Sequence, residues 1–146
     1  MNRTMAGAII VAVLCIGGPA FAEVNMQEGN WETTIEMKME MEGMPFPMPP
    51  MTYKVTQCLT KKDMVPSTAK KDEKCEVRNR KISGNTVSWS VVCVDKEGRS
   101  EGDGTITYAG GSYQGTITMK ITTKDNPKPM RSTMKMNGKR LGNCTK

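Results

Sequence analysis

From Trp31 the chain alternates with a period of two. Trp31, Thr33, Ile35, Met37, Met39 and Met41 fall on one side, and Glu32, Thr34, Glu36, Lys38, Glu40 and Glu42 on the other. That pattern predicts a strand with one face toward an interior and one toward water. Residues 43–50 interrupt it with Pro45, Pro47, Pro49 and Pro50, which cannot donate to a ladder and favour extended backbone, so a stiff loop is expected. Alternation resumes through Tyr53, Val55 and Gln57 up to Cys58, and Thr60-Lys61-Lys62-Asp63 reads as the start of a short helix ending before Pro66. Beyond Cys75 the signals are those of hairpins. Ser83-Gly84-Asn85 separates two alternating runs, Asp95-Lys96-Glu97-Gly98 reads as a type I turn closed by a left-handed glycine, and Gly110-Gly111 and Asn137-Gly138 mark two further turns. About eight short strands at this spacing predict an all-β fold, an antiparallel barrel or sandwich with one short helix.

The first 22 residues do not fit that pattern. Arg3 precedes an apolar run from Met5 to Ile16, and Pro19 leads into Ala20-Phe21-Ala22 before polar Glu23. This is the layout of a secretory signal peptide cleaved after Ala22, too short in its apolar part to span a bilayer. The expected organisation is a leader over 1–22 and a single β domain over 23–146, exported to the periplasm without a transmembrane span. Export changes the reading of the cysteines. Once Cys15 is removed with the leader, Cys58, Cys75, Cys93 and Cys144 remain, an even set that predicts two disulfides in an oxidising compartment. A three-residue loop at Ser83-Gly84-Asn85 places Ile82 opposite Thr86, Val77 opposite Val91 and Cys75 opposite Cys93. A two-residue loop would set Glu76 against Cys93 and break the apolar face of Val87, Trp89 and Val91. Cys75 is therefore paired with Cys93, which leaves Cys58 with Cys144.

The chain of 146 residues has no histidine. That removes the commonest general base, the usual partner of a nucleophilic serine or cysteine, and the usual completing ligand of a zinc site. Charge is segregated: residues 23–42 hold six acids and one base, whereas residues 120–146 hold eight bases and one acid. Strands from these two segments would pair well if they close a barrel. The basic segment contains no aromatic residue on which a base could stack, so nucleic acid is not expected as a partner. Glu40 with Glu42, and Glu101 with Asp103, are the nearest carboxylate pairs. The first lies on an outward face and the second in a glycine-flanked stretch, and neither makes a buried acid/base dyad.

Fourteen methionines are the compositional oddity. Met37, Met39, Met41 and Met119, with Trp31 and Trp89, stand at inward positions, where flexible thioethers fill an irregular interior or line an adaptable cavity for an apolar ligand. A second possibility rests on Met44, Met48 and Met51 in the proline loop, because thioethers suit Cu(I) or Ag(I). The two readings are a non-enzymatic binder of an apolar small molecule or an envelope protein, and a soft-metal carrier. Neither requires a cofactor.

Two resemblances add to this. Gly29-Asn30-Trp31 is similar to the G-x-W start of lipocalins, in which an arginine in the position of Arg140 would stack on the indole. More extensively, Gly29-x-Trp31-Glu32, the Met- and Pro-rich stretch, Cys58-Leu59-Thr60, Cys75, Trp89, Cys93, Tyr113-x-Gly115 and Gly138-Lys139-Arg140-Leu141-Gly142-x-Cys144 resemble the exported bacterial family called domain of unknown function 3617. The resemblance spans the mature chain and implies an envelope location. It transfers no catalytic residue.

Overall fold

A computed structural model describes residues 23–46, 48–66, 72–126 and 128–145. The expected leader over 1–22, and Pro47 of the proline loop, lie outside them. Seven strands are described: β1 (Gly29–Met41), β2 (Met51–Leu59), β3 (Lys74–Ser83), β4 (Thr86–Val94), β5 (Gly98–Tyr108), β6 (Ser112–Thr123) and β7 (Met130–Gly142). They form one antiparallel sheet in the order β2-β1-β7-β6-β5-β4-β3. The all-β reading holds. The expected barrel or sandwich of about eight strands is corrected to a single unclosed sheet, since among the described residues β2 and β3 are edges with no ladder between them. A crossover over residues 60–73 joins these edges. The expected short helix is corrected to a single 3-10 turn (Lys61–Asp63), where the Thr60 hydroxyl accepts from the Lys62 N–H and the Asp63 carboxylate accepts from the Thr60 N–H. Met64 and Val65 then pack against the core, and the Tyr108 hydroxyl donates to the Met64 carbonyl at 2.9 Å.

The eighth strand is missing for a physical reason. Asn137-Gly138 makes no turn but lies inside β7, because the Tyr113 ring from β6 lies over Gly138. A Cβ there would come within 2.0 Å of the ring. Gly98 likewise is not left-handed. It is the first residue of β5, where a side chain would meet the Thr122 carbonyl, and the turn before it is held by Asp95 Oδ1, which accepts from the backbone N–H groups of Glu97 and Gly98.

The first hairpin corrects the register argument while keeping its result. Ser83 pairs with Thr86 and Ile82 with Val87, so the loop has two residues. A bulge between Arg78 and Lys81, with Asn79 at φ 51°, absorbs one extra residue and brings Val77 back opposite Val91 and Cys75 opposite Cys93. Disulfides join Cys75 to Cys93 and Cys58 to Cys144. The charged segments meet as well. β1 lies beside β7 in the middle of the sheet, with Glu32 opposite Lys139, Glu36 opposite Lys135 and Glu40 opposite Arg131. Opposite charges at facing positions favour this pairing on the water side.

Candidate functional site

All the inward positions lie on one concave face, and the register sorts them into rows. Trp31 faces Gln57 and Arg140. Thr33 faces Val55 and Gly138, beneath Tyr113. Ile35 faces Tyr53 and Met136. Met37 faces Met51 and Met134. Met39 faces Ser132, which faces Met119, and Met41 faces Met130, which faces Ile121. Burial falls along this series, from Trp31, fully enclosed, to half-buried Met37, Met39 and Met41.

The first end is sealed by aromatic rings. The Trp31 and Tyr113 centroids are 5.4 Å apart and those of Tyr108 and Tyr113 5.5 Å, while Val24 and Met26 of the preceding segment cover them. Polar atoms are satisfied inside the seal. The indole N–H of Trp31 donates to the Gln27 carbonyl, and the Thr33 and Tyr113 hydroxyls share a hydrogen bond of 2.6 Å. Burial pushes both phenols up: Tyr113 against the opposing effect of the Thr33 hydroxyl, and Tyr108 further, with Tyr113 beside it adding to the shift. Both are neutral hydrogen-bonding groups at ordinary pH. Arg140, opposite Trp31, donates from Nε to the Glu28 carbonyl and from its guanidinium to Asn143.

The other end opens into a cleft of about 610 Å³. Among the described residues six methionines line it: Met37, Met39, Met119, Met130, Met134 and Met136. Ile35, Tyr53 and Val55 extend this wall, and the crossover contributes Pro66 and Glu73 from the facing side. The charged lining residues are Glu73 of the crossover and Asp95, Glu97 and Arg99 at the β4–β5 turn, where Arg99 pairs with Glu101 and the Ser100 hydroxyl reaches Glu73. The volume is that of a small-molecule site.

Three of the six residues expected to contact a ligand, Met37, Met39 and Met119, line the cleft. Trp31 and Trp89 are buried in the core, and Met41 lies just beyond, facing Met130. The proline-loop set is not a loop set. Met51 is the first residue of β2, 53% exposed and opposite Met37, while Met44 is exposed and Met48 half-buried. Met130, Met134 and Met136 were missing from the expected site, although they alternate with Arg131, Lys135 and Asn137 as the β1 methionines alternate with charges. Glu73, Cys75 and Cys93 come within 4.8 Å of one another, but both sulfurs are spent in the disulfide and no thiolate is left for a metal. The carboxylate pairs are dispersed: Glu40 is bridged to Lys38, Glu101 to Arg99, and Asp103 accepts from Ser90.

A family model matches residues 26–144, a span of this chain that holds all seven strands, the four bridged cysteines and the closing Gly138 to Cys144 segment. The chain belongs to the family described as Protein of unknown function (DUF3617). No curated protein and no solved structure matches it. Family membership therefore brings no activity with it, and the cleft has to be read from its own residues. Among the described residues no helix is long and apolar enough to cross a membrane.

Proposed function

We propose that this member of the family is an exported, non-enzymatic carrier or binding protein of the periplasm that holds an apolar small molecule in the methionine-lined cleft. The observation that carries the reading is an open space of about 610 Å³ bounded by six thioethers on strands whose outer faces are charged. An exposed apolar surface of this kind is characteristic of a binding groove, and methionine walls adapt to occupants of differing shape. Two disulfides and the leader-like first 22 residues support export. Mass spectrometry of protein taken from the envelope should find Glu23 at the amino terminus.

Filling the space tests the binding. Ile35 is half-buried on the cleft wall, and Ile35→Trp should weaken binding of an anilinonaphthalene dye at least ten-fold while the fold and both disulfides are kept. Unchanged dye binding in a folded Ile35→Trp protein overturns the reading. A docking face for an envelope protein is the other outcome, in which dye and lipid panels give no shift and the cleft is covered only in a complex.

A further inference from the structure

Methionine is an unusual choice for strands, where β-branched and aromatic residues pack best on a pleated surface. The sealed part of the sheet follows that preference, with Val87, Val91, Ile106, Ile117, Tyr108 and Tyr113. At the open end the thioethers replace it, and packing explains them least there. Met37 and Met134 are half-buried on a cleft wall, Met134 with one side against the core, and Met51 is more than half exposed, so none of the three is enclosed by packing. The ladders bring these three together: Met37 on β1 has Met51 directly opposite on β2 and Met134 directly opposite on β7. Directly opposed residues share a face and stand with Cβ atoms about 5 Å apart, within the reach of three freely rotating thioether arms.

We infer that Met51, Met37 and Met134 form a three-sulfur site for a soft monovalent cation, Cu(I) or Ag(I). The donor set selects for these ions. Thioethers are neutral and soft, and the chain has no histidine. The four described cysteines are bonded in pairs. The row supplies nothing that Zn²⁺ or Ca²⁺ prefers. Binding needs no electron transfer, so Ag(I) reports the site without redox chemistry. The site differs from one built on the proline loop, because Met44 and Met48 are not in the row. It also does not depend on an apolar occupant of the cleft.

Ag(I) titration of the disulfide-intact protein against a competing chelator is expected to show one tight equivalent, with no response to Zn²⁺. Met37→Leu, Met51→Leu and Met134→Leu combined should weaken it at least ten-fold, whereas Met44→Leu with Met48→Leu should leave it unchanged. Dye and Ag(I) are titrated separately into the unaltered protein, so loss of one response without the other separates failure of this site from failure of the apolar reading. Methyl NMR of the unaltered protein gives the check that needs no variant: Ag(I) should move the methyl signals of Met37, Met51 and Met134. Equal Ag(I) affinity in the triple variant, or shifts confined to Met44 and Met48, overturns the inference.

Discussion

The two ends of the concave face use the same strands and the same alternation, and they differ in what the alternation carries. At the sealed end β1 places Trp31 and Thr33 beneath Tyr113, with the amino-terminal segment over them. About twenty ångströms of strand further on, by the usual rise of about 3.3 Å per residue, it places Met37 and Met39 against a cleft. A period of two decides which side chains face inward. It does not decide whether the space they face is filled. Rigid rings with satisfied polar tips close one end, and flexible thioethers leave the other adaptable.

The disulfides divide along the same line, and removing them should have the largest effect. Cys58, opposite Asn30 at the sealed end, is tied to Cys144 across 86 residues; Cys93, on the cleft wall, is tied to Cys75 across 18. On the chain-entropy model the Cys58→Ser, Cys144→Ser protein should lose about 4 to 5 kcal/mol, and the Cys75→Ser, Cys93→Ser protein about 3. Equilibrium denaturation measures both, and the reverse order would mean that the sealed end does not depend on its staple.

Truncation within β1 sharpens the contrast. Trp31→Ala removes a fully enclosed ring and should cost about 3 to 5 kcal/mol. Met39→Ala at the half-buried end should cost under about 2, since a residue already beside open space leaves little new cavity. Thermal or urea unfolding of the pair decides it. Similar losses would show that the methionine end is packed as tightly as the aromatic one.

Much of this was legible before any coordinates. The β1 alternation, the pairing of acidic β1 with basic β7 and both disulfides follow from residue order. What was illegible depends on contacts remote in sequence. Asn137-Gly138 has the composition of a turn, yet the glycine is there to admit Tyr113 from the neighbouring strand. The bulge at Asn79 compensates a shorter loop, so a register counted from the loop alone reached the right cysteine pair through the wrong turn. The cleft needed the same kind of information: residues 60–73 join the two edge strands, and whether such a connection fills or spares the space between them is not written in alternation.

The effect that shows least near neutral pH is an alkaline one, and its buried contributors lie at the sealed end. Tyr108 and Tyr113 are both held above the ordinary tyrosine value, chiefly by burial. Each therefore keeps its proton in the folded chain after the unfolded chain has lost it. The unfolded state then binds fewer protons, and stability falls as pH rises. The contribution is intact below about pH 10, where tyrosine in the unfolded chain is neutral, and is lost above it at up to about 1.4 kcal/mol per pH unit for each ring. Tyr108→Phe keeps the ring and removes one titrating group, so its alkaline limb should be shallower than that of the parent, at the cost of the hydrogen bond to Met64. Thr33→Val acts the other way on Tyr113, since it deletes the bond that opposes the upward shift. Stability measured across pH 9 to 12 should rank the three slopes as Thr33→Val steepest, parent intermediate and Tyr108→Phe shallowest; a single common slope would show that water reaches the rings and that this end is not sealed.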